Sequence, residues 1–282
     1  MVRFLLWSIA LLLVIGVSLR LFERHLVFFP SKYPSGFWEP NLLGLQVQEV
    51  WLTTSDDTKI HAWFVAQDSA CANVVMAHGN AGNLSDRVEW LELLHQNVPA
   101  NFMMFDYRGY GRSEGTPSEE GCYRDAEAAH DWLRQEFPDL PIIAHGHSLG
   151  GAVMIELANR RTVQGLIIES SFTDARDMAR LMFGPLPVYW LTGMKWASID
   201  KVARLKMPKL FIHGDRDRVI PYALGQKLYA HAAEPKQFVT LRDTDHNDTY
   251  LAGGELYFQT IKNFVLENAS AKIQISNTGL AQ

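Results

Sequence analysis

From residue 73 onward the chain alternates short, uninterrupted apolar runs with amphipathic stretches of helical period, and few architectures accept that pattern. The runs are Asn73–Ala77, Phe102–Phe105, Ile142–Ala144, Leu166–Ile168, Leu210–Ile212 and Phe238–Leu241. The helical stretches lie near Leu84–His95, Ser118–Phe137, Leu149–Arg161, Tyr222–Ala232 and Leu256–Leu266. A strand that is apolar at every residue, rather than at every second one, is buried on both faces, and helices between successive strands supply the cover. The expected fold class is therefore α/β: a parallel sheet with helices on both faces, joined by right-handed crossovers. Ahead of this pattern, Gln46–Leu52 and Ile60–Ala66 alternate with the two-residue period of half-buried strands. The turn Thr53–Lys59, which contains Asp56-Asp57, makes them a hairpin.

The first residues follow a different rule. Phe4 to Leu19 are apolar apart from Ser8, Gly16 and Ser18. Sixteen helical residues span about 24 Å, short of a bilayer core of about 30 Å unless Leu21 and Phe22 extend the span and Arg20 snorkels. Residues 1–25 are expected to be a membrane anchor or a signal segment, with the anchor preferred because Leu19–Phe29 stays apolar-rich past the possible cleavage site Gly16-Val17-Ser18. The protein is then membrane-anchored by a single N-terminal helix or, after cleavage, secreted or periplasmic. Residues 26–36 are expected to be a linker, 37–268 one domain with a short cap at about 174–200, and 269–282 a flexible tail. Of the 282 residues, 26 are basic and 31 acidic, a net charge of −5 that argues against a nucleic-acid partner. The two cysteines, Cys71 and Cys122, exclude a disulfide scaffold and a multi-cysteine zinc site.

The chemistry concentrates in the loops after the strands. Gly146-His147-Ser148-Leu149-Gly150 has the form G-x-S-x-G and lies between an apolar run and a helix, the context this motif requires. Gly146 and Gly150 remove side chains that would clash in so tight a turn, which leaves Ser148 at its tip beside His147. A serine hydroxyl needs a base, and the base needs an orienting acid. His213-Gly214-Asp215-Arg216-Asp217 follows the Leu210–Ile212 run; Asp217 is the preferred acid and Asp215 the residue that holds the loop. His246, in the loop after the last strand, is the expected base. An oxyanion formed at Ser148 needs backbone N–H donors, expected from Leu149 and from Asn80 in His78-Gly79-Asn80-Ala81-Gly82-Asn83. Met178–Trp196 interrupts the strand–helix rhythm with large apolar residues. Met182, Phe183, Tyr189 and Trp190 in it are candidates for a substrate pocket under a cap.

These stretches, with Phe105-Asp106-Tyr107-Arg108-Gly109-Tyr110-Gly111-Arg112-Ser113-Glu114-Gly115, Glu169-Ser170-Ser171-Phe172-Thr173 and His246-Asn247-Asp248, make the sequence resemble the Bem46 group of α/β-hydrolases over about residues 26 to 268. The resemblance implies a mostly parallel eight-stranded sheet with a short cap and an N-terminal hydrophobic helix. It maps the family's nucleophile to Ser148, its acid to Asp217, its base to His246 and its oxyanion donors to Asn80 and Leu149. Relatives act on acyl esters, lysophospholipids or protein thioesters, and a mechanism through Ser148, His246 and Asp217 needs no metal or organic cofactor. One departure is His147, where many members carry Arg or Tyr. The expected activity is cleavage of carboxylic ester or thioester bonds in lipid-like or acylated substrates. An acyltransferase using the same three residues and a non-catalytic, membrane-tethered binding protein are the alternatives.

Overall fold

The apolar runs of the sequence become the strands of one eight-stranded sheet. The computed structural model describes residues 7, 14, 16–18, 20, 22–186, 189 and 193–278. The strands are β1 (Gln48–Thr53), β2 (Lys59–Val65), β3 (Ala72–Ala77), β4 (Ala100–Phe105), β5 (Ile142–His147), β6 (Gly165–Glu169), β7 (Lys209–Gly214) and β8 (Lys236–Leu241). Their order is β1-β2-β4-β3-β5-β6-β7-β8. β1 and β2 form the antiparallel hairpin, β2 pairs antiparallel with β4, and every other neighbour is parallel.

Strand residues point alternately to the two faces, so each run feeds two cores. In β3, Val75 and Ala77 join one buried cluster and Val74 and Met76 the other. The first cluster packs under α2 (Glu119–Glu136), α3 (Leu149–Arg160), α5 (Ser198–Val202) and α6 (Tyr222–His231). The second packs under α1 (Val88–Asn97) and α7 (Gly254–Thr278). Each fully buried Val, Leu, Ile, Phe or Met contributes roughly 1.5–3 kcal/mol, which is how an all-apolar strand is stabilised only when both faces are covered. Between β6 and β7 the chain forms α4 (Ala175–Phe183), whose N-cap Asp174 accepts the Asp177 N–H at 2.7 Å.

The ends of the chain depart from expectation. Residues 22–27 are helical, but residues 26–36 are not a free linker. Phe28 is buried, with its ring 6.1 Å from that of Trp196. Phe29–Pro30 pairs in parallel with Ala81–Gly82, and Lys32 bridges to Gly111. The Ser31 N–H donates to Gly82 O at 3.0 Å and the Gly111 N–H to Ser31 O at 2.9 Å. An extended segment offers free backbone donors and acceptors, and these two glycine-rich loops have matching ones to satisfy. At the other end α7 runs on to Thr278, past residue 269 where a flexible tail is expected. Most of the apolar segment expected as an anchor lies outside the described residues. Among the described residues, no helix is long and apolar enough to cross a membrane.

Candidate active site

Ser148 follows directly on β5 and heads α3. Its φ of 58° and ψ of −119° lie in the left-handed half of backbone space, a conformation that costs a non-glycine residue on the order of 1–3 kcal/mol. The surroundings hold it there. The Ser148 N–H donates to Glu169 O at 2.8 Å, and the Ser171 hydroxyl donates to Ser148 O at 2.9 Å. The flanking glycines are sterically required. A Cβ on Gly146 would fall 2.1 Å from Gly150 O, and one on Gly150 would fall 2.0 Å from Ala77 O.

Two distant loops meet at the serine. The His246 imidazole lies with Nε2 3.0 Å from Ser148 Oγ and Nδ1 2.7 Å from Asp217 Oδ2. His246 arrives from the loop after β8 and Asp217 from the loop after β7. The other oxygen of Asp217 accepts the backbone N–H groups of Val219 at 2.9 Å and Ile220 at 2.7 Å, and His213 Nε2 approaches Oδ2 at 3.2 Å. Burial pushes the Asp217 carboxyl up. The hydrogen bonds from His213 and His246, the charge of His246 and the Ile220 N–H outweigh that, and hold it well below the usual carboxylate range. These partners thus favour the ionised form of Asp217. Asp215, the competing carboxylate, instead accepts the Asp243 N–H at 2.7 Å and ties the two loops together. Asp245 orients the last loop by accepting the N–H groups of Arg218 at 2.9 Å and His246 at 2.8 Å.

Asn80 and Leu149 both face the cavity above Ser148. The Asn80 loop is held from below: the Tyr107 hydroxyl donates to His78 O and the Tyr110 hydroxyl to Asn80 O, each at 2.7 Å. His78 is buried with Nε2 3.2 Å from Asp106, also buried. Gly79 passes so near the elbow that its Cβ would lie 3.5 Å from Ser148 Cβ. Asn83 caps the turn Leu84–Arg87 in a reciprocal capping box with Asp86.

The cavity holds about 150 Å³, comparable to one that accepts benzene, and its walls are almost wholly apolar. Of the expected pocket residues, Met182 and Phe183 line it. Tyr189 does not: its ring faces the cations of Arg176 at 4.7 Å and Lys195 at 4.4 Å, an attraction between cation and ring quadrupole that draws it from the cavity. Trp190 lies outside the described residues. Residues that sequence reasoning did not assign also line it: Glu23, Leu26 and Val27 from the N-terminal segment, and Val219 and Ile220 from the Asp217 loop. The second pair could have been found, since it follows the acid by two and three residues; no local signal marks the first. Trp196, buried with φ 43°, closes another wall. Glu119 fixes it in place by accepting the Trp196 N–H at 2.8 Å and the Lys195 N–H at 2.6 Å.

Behind the elbow lies a buried polar network that the sequence did not reveal. Glu169 accepts from His145 Nε2 and the Tyr257 hydroxyl, each at 2.8 Å, and from the Thr249 hydroxyl. Burial pushes its carboxyl up, but these donors and the nearby His147 hold it at about 2. His147 donates from Nε2 to His246 O at 2.9 Å, so it supports the backbone that carries His246. Among the described residues no three or more His, Cys, Asp or Glu side chains gather to hold a metal ion. Cys71 and Cys122 are free thiols.

Comparison with known proteins agrees with this architecture. Residues 72–194 match the family described as having the alpha/beta hydrolase fold. The chain is 34% identical to the alpha/beta hydrolase domain-containing protein WAV2 of Arabidopsis thaliana, over 93% of each chain. It is 31% identical to the protein bem46 of Schizosaccharomyces pombe, over 93% of this chain and 91% of that one. An esterase of Pyrococcus furiosus shares the fold with a TM-score of 0.68 at 22% identity, over 86% of this chain and 98% of the other. The sheet order, the strained serine between β5 and α3 and these full-length similarities agree: the chain belongs to the Bem46-like α/β-hydrolases.

Proposed function

We propose that the protein is a serine hydrolase that cleaves carboxylic ester or thioester bonds of acylated, lipid-like substrates through an acyl-enzyme. The observation that carries the proposal is the unbroken chain from Ser148 Oγ through His246 to Asp217, at 3.0 and 2.7 Å. Ser148 attacks the acyl carbonyl while His246 takes its proton on Nε2. Asp217, held ionised, keeps Nδ1 protonated and stabilises the imidazolium. The carbonyl oxygen becomes an alkoxide facing the N–H groups of Asn80 and Leu149, each worth roughly 3–4 kcal/mol in the barrier. His246 returns the proton to the leaving alcohol or thiol. It then activates water, which displaces Ser148 and frees the acid. The acyl group occupies the apolar cavity, where each buried methylene contributes about 0.8 kcal/mol. In the same reading, residues 1–25 anchor the protein in a membrane and keep the cavity near acylated substrates.

The test pairs Ser148→Ala with the native protein. Native protein should hydrolyse p-nitrophenyl acyl esters and be labelled by a fluorophosphonate probe, and the variant should do neither while keeping its circular dichroism. Undiminished turnover by Ser148→Ala would sink the proposal.

A further inference from the structure

The segment that leads into the domain also walls the site. Its helical residues 22–27 run beside the cavity, and Glu23, Leu26 and Val27 line it together with Ser148 and Asn80. Three sets of contacts hold the segment there. The Glu23 carboxylate accepts the Gly193 N–H at 2.5 Å and Arg20 Nη1 at 3.2 Å, so it clasps the returning end of the cap. Phe28 packs against Trp196, which also lines the cavity. Finally, the Asn80 side chain donates to Val27 O and the Phe29 N–H donates to Asn80 O, both at 2.9 Å.

We propose that Leu26 and Val27 are specificity-determining residues of the acyl site, a wall supplied by the N-terminal segment that sets how long an acyl group is admitted. The proposal rests on the reading of the cavity as the acyl site of Ser148. Leu26 and Val27 are the apolar residues of the segment that reach the cavity, which the cap residues Met182 and Phe183 also line. The bulk at these two positions therefore subtracts directly from a space of about 150 Å³. Leu26 is 39% exposed, so a larger side chain there intrudes on the cavity without disturbing the core. Val27 is half-buried, and shortening it adds room.

The full chain is assayed with p-nitrophenyl esters from acetyl to decanoyl, as native protein, Leu26→Trp and Val27→Ala. In Leu26→Trp the ratio of kcat/KM for the longer esters to that for acetate should fall by about fourfold per methylene excluded, the equivalent of about 0.8 kcal/mol. In Val27→Ala the preferred chain length should rise. Decanoate binding, measured by calorimetry in a Ser148→Ala background, reads the wall without turnover, and Leu26→Trp should weaken it by a matching factor. An absence of hydrolysis by the native protein would refute the nucleophile assignment, while decanoate binding would still decide the wall. Unchanged chain-length ratios, or unchanged decanoate affinity where there is no turnover to compare, would overturn the proposal.

Discussion

Acidification should weaken the fold through His147, by an amount that follows from where its ring sits. The ring is 9% exposed, with its centroid 4.9 Å from that of His246 and 6.1 Å from that of Trp90. Burial removes the water that an imidazolium needs. The Glu169 carboxylate pulls the other way, but the charge of His246 adds to the penalty, and the net effect lowers the pKa from 6.5 to about 4. The folded protein therefore keeps His147 neutral over a range in which the unfolded chain protonates it. The stability this gives is fully present above pH 6.5 and is lost as the pH falls from 6.5 towards 4. Between pH 7 and 4.5 the loss is about 2–3 kcal/mol. His147→Gln presents an amide that does not titrate. Urea unfolding of both proteins at pH 7 and pH 4.5 reads the double difference. This cancels the similar contribution of His61, which burial also lowers to about 4. The native protein should lose about 2–3 kcal/mol more than the variant on acidification. Equal losses would refute the reasoning, because they would mean that the folded ring accepts a proton as readily as the unfolded one.

Arg108→Met should destabilise the protein by about 3–5 kcal/mol at pH 7, because it strands the buried Asp125 carboxylate that Arg108 Nε meets at 3.0 Å. Burial already pushes Asp125 up to about 6 against the pull of Arg108, so the deficit should shrink as the pH falls to 5 and the carboxyl protonates; thermal melts at the two pH values check this. Gly150→Ala forces Ala77 and His78 away from a methyl group that would sit 2.0 Å from Ala77 O and 2.9 Å from His78 O. A displacement of this size at the Asn80 loop should cut kcat/KM for p-nitrophenyl esters by about a hundredfold, and native activity would contradict it.

The layered sheet was legible because burial on both faces leaves runs of consecutive apolar residues, Val74–Ala77 in β3 and Ile142–Ala144 in β5. The hairpin β1–β2 was legible from its Asp56-Asp57 turn and from β1, where buried Val50 and Leu52 alternate with exposed neighbours. Strand β2, expected to be half-buried, is buried throughout residues 60–65 because it lies inside the sheet between β1 and β4. Helix α2 was expected over Ser118–Phe137 and forms over Glu119–Glu136, with the Ser118 hydroxyl accepting the Gly121 N–H at 3.1 Å. The stretch expected to begin a helix at Leu84 opens instead as a 3₁₀ turn, Leu84–Arg87, because Asn83 and Asp86 cap each other there, and α1 starts at Val88. Residues 26–36 misled because Pro30, Pro34 and Gly36 are the composition of a linker. Their hydrogen bonds run from main-chain groups, which every residue carries and which no pattern of side chains announces.

The sequence by itself determined the class of fold, the strained serine between a strand and a helix, and the two loops in which an acid and a base could stand. These are properties of neighbours in the chain: periodicity, a five-residue motif and the order of loops after strands. The tertiary structure set Asp217, the aspartate preferred from the sequence, against His246 and aimed Asp215 at the Asp243 N–H instead. It also brought Leu26 and Val27 beside Ser148, buried Glu169 among His145, Thr249 and Tyr257, and turned Tyr189 from the cavity. Each of these depends on distances between residues far apart in sequence, set when two-sided burial of the sheet stacks the loops at one end, and no local pattern encodes such distances.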